Sequence, residues 1–535
     1  MLIEDFEFGG MEHPGAVFYR QSLLLLPAEA DASERMRRAN LIAHETAHMW
    51  FGNLVTMRWF DDVWLKEVFA NFMADRIVAA AFPDADHEAA FVLRHFPPAY
   101  AVDRTDGTHA IRQPLGNLAE AGELYDALIY HKAPVAIAAL EREIGAAAMQ
   151  AGLRHYLADF SFGNADWPEL RERLQRETRL DLADWSRAWI ETAGRPALTA
   201  PLELDAPARY GERALTVPER HAALAALNGP APARRRAIAW ITLYEDMQDG
   251  GIAPAELLTA AVRALGRETG ADGTDGESGV TDELLTARLI EDLAEIFWRF
   301  LDERRRGFAA GPVERALWLR VRGTGTDRAG DLRHLFWLKA LGRFATTPET
   351  LAELESIWRG EREGFADLPE ALAARLALSL SLRRPDRANS IMDLQLGRTR
   401  DAERRSRLEF LRPALASDRA TRDAFFGRLL AGEGRSLWAV TGLELLAHPL
   451  RAAEALDYIG PGIGHAARLR RRGDIFLPRQ WLAALFSGQG SAAAAAIVRS
   501  ELASRELPAR LRLLILETAD PVFRAAGMRE DSQAT

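Results

Sequence analysis

The stretch His44-Glu45-Thr46-Ala47-His48 constrains this 535-residue chain more than any other feature. It lies in a helical pattern that starts at Ser33, carries Met36, Ala39, Leu41, Ile42 and Ala43 at helical spacing, and ends near Gly52. Side chains four residues apart on a helix share a face, so both imidazoles can reach one cation. Glu45 stands beside them, where a carboxylate serves as a general base toward water more readily than as a third ligand. A third ligand is expected, and Glu67 in Trp64-Leu65-Lys66-Glu67 meets the need on the next helix, eighteen residues intervening after His48, across a turn containing Gly52 and Asn53. Two imidazoles, one carboxylate and an open position are the donor set of catalytic zinc. With 12 His and 77 acidic residues in the chain, chance supplies the five-residue pattern about 0.04 times, and about 0.006 times once an acid is also required at position 67.

Composition narrows the chemistry further. There is no Cys, so a disulfide scaffold, a thiolate-held metal and a thiol nucleophile are excluded, and any metal must sit on His and carboxylates. The net charge of −10 supplies no positive field for nucleic acid or anionic lipid, so no nucleic-acid partner is expected. The apolar fraction of 48% is that of a folded globular chain. No apolar run approaches the roughly 20 residues that span a bilayer. Met1 to Phe6 has no basic region followed by an apolar stretch, so no membrane segment and no leader are expected and a cytoplasmic location follows.

Patterning predicts a mainly α chain. Residues 1–26 read as two short strands around a Gly-Gly break, with Leu23–Leu26 as part of the extended structure. Helices are expected over 62–82, 118–145, 146–160, 167–177 and 181–193, and Gly194-Arg195-Pro196 ends the first domain, 1–196. Residues 197–230, with a strand-like Leu198–Leu204, are a linker or a reduced β segment, too short for a sandwich of about 100 residues. Residues 231–535 read as an all-α domain of solenoid character, including Ala237–Met247, Leu284–Phe300, Leu332–Phe344 and a helix start at Thr347-Pro348-Glu349. Gly270–Gly279 is expected to be a polar loop. The remaining histidines, such as His95 and His131, have no ligand spacing, and the Arg runs at 234–236, 304–306 and 470–472 read as solvated helix faces.

The zinc pattern with Trp50-Phe51-Gly52-Asn53-Leu54-Val55-Thr56 inside it resembles the aminopeptidase N family of zinc metallopeptidases, of the gluzincin type. The resemblance extends in order to Gly9-Gly10-Met11-Glu12-His13 (family pattern G-x-M-E-N), Tyr130-His131-Lys132, Phe162-Gly163-Asn164-Ala165, Trp189, Gly194 and Pro196. It implies a thermolysin-like zinc-peptidase domain with a few N-terminal strands, followed by an all-α solenoid-like domain. It implies one Zn2+ per chain on His44, His48 and Glu67, with Glu45 as base and Tyr130 stabilising the oxyanion. Glu12, on the segment Gly9, Gly10 and Met11, would bind the free amine of a peptide substrate. Taken alone, Glu12 reads as a turn carboxylate and Tyr130 as a half-buried core residue.

The chain departs from the family pattern at several places. His13 replaces Asn, Ala133-Pro134 replace Gly-Ala, and Lys66 and Val68 flank Glu67 where the common form has Asn and Gly or Ser. Asp62 and Asn71 are near enough to orient a ligand, although solvent-facing helix positions are the readier reading. The family carries an N-terminal β domain and early strands before the motif that begins here at residue 9, so that domain, or a complementary chain supplying it, is a candidate partner. Two rival functions follow. One is an enzyme of the same clan, an endopeptidase of thermolysin type or an epoxide hydrolase on this scaffold, of which Glu12 disfavours the endopeptidase; the other, a non-catalytic helical scaffold, is disfavoured by the intact His44, Glu45, His48 and Glu67.

Overall fold

The helix pair demanded by the spacing of His44, His48 and Glu67 forms the centre of the first of two compact units. The computed structural model describes residues 1–4, 6, 8–26, 30, 32–266, 280–323, 328–363, 365, 368–471 and 475–531. Within these, one unit takes Met1–Gly251 and Gly276–Arg288, the other Ile252–Asp275 and Leu289–Thr535. The chain is mainly helical with a few short strands. No helix among the described residues is long and apolar enough to cross a membrane.

In the first unit three strands precede the helices: β1 (Leu2–Ile3), β2 (Gly10–Met11) and β3 (Phe18–Arg20). Their order is β1-β3-β2, with β1 parallel and β2 antiparallel to β3, and Gly10 faces Tyr19 in the register. The expected two strands are three. Leu23–Leu24, expected to be extended, lie in a one-turn helix, α1 (Gln21–Leu24), because Arg20 ends the ladder and the chain must turn toward the next helix.

Helix α2 (Ala32–Ala47) and helix α3 (Val63–Ala81) pack against each other, joined by a turn and the strand β4 (Val55–Met57). Helix α3 is apolar on most sides, with Val63, Trp64, Leu65, Val68, Phe69, Ala70 and Phe72 all buried, as befits a helix enclosed by its neighbours. Helix α4 (His87–Asp103), which the sequence pattern did not reveal, starts where Asp86 accepts from the Ala89 N–H at 3.0 Å. Pro97 and Pro98 inside it blur the helical signal.

The expected helix over 118–145 is three pieces: a 3-10 segment Leu118–Leu124, a π turn Leu128–Lys132, and helix α5 (Ala133–Ile144) with Pro134 in its first turn. Proline lacks the N–H a continuous helix would need there, and the wider π turn ahead of it removes that requirement.

Helices α6 (Ala146–Phe160), α7 (Trp167–Gln175) and α8 (Leu182–Trp189) complete the core, and β5 (Gly163–Ala165) pairs in parallel with β4. The start of α7 is a capping box, Asp166 with Glu169. Trp167 stacks edge-on against Trp64 at 5.1 Å and its indole N–H donates to Ser186 Oγ at 2.7 Å, so it ties α3, α7 and α8 together.

Beyond Gly194 no strand forms at Leu198–Leu204. Only an isolated bridge joins Ala197 to Glu212. Helices α9 (Val217–Asn228) and α10 (Ala233–Gln248) follow, and α10 packs on α4 within the compact unit that takes Met1–Gly251.

The described residues of the second unit form no strand. Its successive helices pair, Glu303–Gly323 with Arg328–Phe344, Glu370–Arg383 with Ala388–Arg398, and Leu456–Arg470 with Leu477–Phe486. The start at Thr347 is observed, its hydroxyl accepting from the Thr350 N–H at 3.4 Å. Gly270–Gly279 lies outside the described residues. Replacing Trp167 by Ala should cost about 3–5 kcal/mol of unfolding free energy, measured by urea titration of the full chain. A loss below about 1 kcal/mol would contradict its place as the wedge of this core.

Candidate metal centre and active site

The centre is assembled by packing the last turn of α2 onto the first turns of α3. His44 and His48 turn their Nε2 atoms toward each other at 3.0 Å, and Glu67 Oε2 lies 3.3 Å from the first and 3.5 Å from the second. His48 and Glu67 are buried. Each imidazole is held through its other nitrogen: His48 Nδ1 donates to the Phe51 carbonyl at 2.9 Å, and His44 Nδ1 meets Asn71 Oδ1 at 3.0 Å.

A carbonyl only accepts, and the Asn71 amide is oriented by its own donation to the Tyr130 carbonyl at 3.3 Å, so both Nδ1 atoms are donors. In the neutral rings both Nε2 atoms then carry lone pairs. Two such lone pairs and a carboxylate oxygen converge on one point, an arrangement that a bound cation stabilises. The donor set fits zinc, with its tetrahedral preference for His and carboxylate ligands. The loop that returns Phe51 to His48 depends on Gly52, whose φ of 129° disfavours any side chain.

Glu45 lies beside this group, buried, and its Oε2 receives no hydrogen bond from any described residue. Burial first, then the charges of Glu12 and Glu67, push its carboxyl up to about 7 against a partial opposition from His44. Its close approach to the strand edge is possible because position 10 is glycine. A Cβ there would lie 2.3 Å from Glu45 Oε1 and 2.7 Å from Cγ. Gly9 is different, since a Cβ would meet only Leu23 and Leu41 side chains at 3.6 Å. Close approach is therefore a property of Gly10 and not of Gly9, and what approaches is the chain's own carboxylate.

Glu12 follows β2, its backbone carbonyl held by Asn53 Nδ2 at 2.8 Å. Its side chain joins Glu45 and His48 in a second cluster of potential ligand atoms. Met11 continues β2 opposite Phe18, and the His13 ring turns onto Phe18, with centroids 5.1 Å apart. The Glu12 carboxylate accepts from Lys66 Nζ, which also lies 3.0 Å from Glu67 Oε1. Burial alone would raise the Glu12 carboxyl, but Lys66, followed by His48, holds it below the usual range. Burial likewise opposes ionisation of Glu67, and Lys66 and the two imidazoles hold it well below that range.

Tyr130 sits in the π turn between α4 and α5. Burial, then the charges of Glu67, Tyr125, Glu12 and Glu45, raise its phenol well above its ordinary value, so it remains a hydrogen-bond donor. Lys132, two residues on, is buried and donates to Asp103 Oδ1 at 3.0 Å and to the Gly194 carbonyl at 2.9 Å, which pins the turn.

The solvent-facing reading of Asp62 and Asn71 fails. Both are buried, Asn71 supporting His44, and Asp62 accepting from Arg112 at 2.8 Å away from the ligands. Sequence reasoning marked Lys66 only as a departure and gave no sign of Asp103. Nor did it bring His95 to His131, whose Nδ1 atoms lie 3.2 Å apart.

Residues 1–189 match the peptidase family M1 domain. Among similar proteins are a leucyl aminopeptidase of Saccharolobus solfataricus, 32% identical over 37% of this chain and 25% of the relative, and an aminopeptidase N of Lactobacillus helveticus, 34% identical over 37% and 24%. A puromycin-sensitive aminopeptidase of Caenorhabditis elegans is 34% identical over 41% and 23%. The chain thus spans about a quarter of the length of the curated relatives it matches.

Gly10→Ala should displace Glu45 and cost about 1–3 kcal/mol of unfolding free energy by overpacking, read by urea titration. Gly9→Ala should stay within about 0.5 kcal/mol, and equal effects of the two would contradict this account. Asn71→Ala should weaken metal affinity by about 10- to 100-fold, read by competition with a chelating dye.

Proposed function

We propose that the first unit, whose residues 1–189 match the peptidase family M1 domain, is a zinc-dependent aminopeptidase, which releases N-terminal residues from peptides. The observation that carries this reading is the three-donor convergence of His44, His48 and Glu67 beside a buried Glu45 oxygen that no described residue satisfies. When bound, one zinc ion per chain would supply a Lewis acid that polarises the first peptide carbonyl and eases ionisation of water.

The chain's own residues do the rest. Glu45 takes the proton from the attacking water and passes it to the amine that leaves as the C–N bond breaks. The Tyr130 hydroxyl donates to the oxyanion of the tetrahedral intermediate. Glu12, reached along the β2 edge from Gly9, Gly10 and Met11, opposes the substrate's free ammonium. Its place beside Glu45 and His48, within 4.8 Å of both, supports a choice for chain ends over internal bonds.

We further assign catalysis to a thermolysin-like domain over residues 1–196, with 197–230 as a connecting segment packed onto it. The successive pairing of helices in the second unit supports a solenoid-like stack over 231–535.

Two tests address the metal and the anchor. His48→Ala should lose most of the zinc, while Glu45→Gln should keep it and lose turnover, both read by metal analysis beside hydrolysis of an aminoacyl chromogenic substrate. Zinc retained in full by His48→Ala would overturn the ligand assignment. Glu12→Gln should lower kcat/KM on free-amine peptides by two to three orders of magnitude, as expected for loss of about 3–4 kcal/mol of charge pairing. N-acetylated peptides should be poor substrates and nearly indifferent to that change. A parent enzyme that cleaves acetylated and free peptides equally well would remove the amine anchor.

A further inference from the structure

The carboxylate assigned to the substrate's ammonium already carries an ammonium of the chain. Lys66 Nζ is paired with Glu12 Oε1 and, 3.0 Å away, with Glu67 Oε1. The two partners are 13% and 14% exposed at their side chains, so the pair is largely withdrawn from water and its charges are weakly screened. The Lys66 stem packs over Gly52, to whose side its Cβ and Cδ would stand 3.5 Å from an added methyl. Its ammonium lies 5.7 Å from the centroid of the Tyr125 ring. The residue is therefore housed on four sides, by Glu12, Glu67, Gly52 and Tyr125.

We infer that Lys66 is a built-in occupant of the amine-binding carboxylate, with which the α-ammonium of a peptide or of a released amino acid has to compete. This rests on the reading of Glu12 as the amine anchor and concerns what already fills it. An incoming ammonium that takes Glu12 Oε1 displaces Lys66, and one that takes the other oxygen stands beside a like charge. Both routes weaken amine binding relative to a site without Lys66. The exchange is feasible because a lysine is a point charge on a flexible stem. When it leaves Glu12 it keeps Glu67 and the Tyr125 face, so no buried charge is stranded. Lys66 is thus a specificity-determining residue that raises the concentration of free N-termini at which the site fills and limits retention of amino-acid products.

The test measures binding apart from turnover. In the zinc-loaded Glu45→Gln background, calorimetric affinities for L-leucinamide and N-acetyl-L-leucinamide are compared for the chain with Lys66, for Lys66→Met, which keeps the stem, and for Lys66→Arg, which keeps the charge. Lys66→Gln is a second uncharged variant should Lys66→Met fail to fold. The uncharged variants should bind L-leucinamide about tenfold more tightly or better, a change equivalent to about 1.4 kcal/mol. The acetylated ligand should be unaffected and Lys66→Arg should resemble the parent. With Glu45 intact, the uncharged variants should show a lowered KM for free-amine peptides without a matching rise in kcat.

Unchanged or weaker binding of L-leucinamide in the uncharged variants, while the parent still prefers it over the acetylated ligand, overturns this inference alone. Equal binding of the two ligands by the parent and every variant overturns the amine anchor, and this inference with it.

Discussion

Three carboxylates, Glu12, Glu45 and Glu67, are brought with two imidazoles into one largely buried volume, and everything else in the first unit is arranged around the positive charge that such a group requires. Buried carboxylates repel one another and lose hydration, a cost tolerated only where a cation and directed hydrogen bonds offset it. Here the offset comes from two sides. His44, His48 and Glu67 are the donor set proposed to hold a divalent ion, and Lys66 is paired with both Glu12 and Glu67. Glu45, the carboxylate with no cation of its own, is the one whose proton affinity rises.

The supporting elements follow from the need to hold these groups still. Phe51 and Asn71 fix the imidazoles through Nδ1, so the ligands are oriented by backbone and by a neutral amide. Asn71 also holds the carbonyl of Tyr130, which couples one ligand to the turn that carries the phenol. That turn is a π segment locked by Lys132 on Asp103, a buried ion pair. A hydrogen-bonded frame of this kind places side chains to within a fraction of an ångström, which a loop in water does not.

The described helices of the second unit pair in succession around an apolar core of their own. Its sequence carries start signals of the same kind as the first unit, Thr347 and Pro348 among them. Local capping chemistry is therefore a reliable guide in both units, whereas long-range partners differ wholly between them.

The sequence by itself determined the local items. His44 and Glu45 fall on α2 and His48 is the residue that follows it, its N–H still bonded to the His44 carbonyl at 3.2 Å, so the helical period holds across the motif, and Glu67 follows at a spacing that a second packed helix can use. The capped start at Thr347 was equally legible, since it depends on residues a few positions apart. Tertiary structure decided the rest. The break of 118–145 into a 3-10 segment, a π turn and a helix is invisible to a periodic reading, because apolar spacing does not distinguish a π turn from an α turn. Burial of Asn71 and Asp62, the meeting of Lys66 with Glu12, and the hold of Asp103 on Lys132 join residues 27 to 54 positions apart. A local pattern carries no information on such pairs. They exist because two carboxylates and an ammonium enclosed together have no water to turn to, and only the packed chain settles which of them meet.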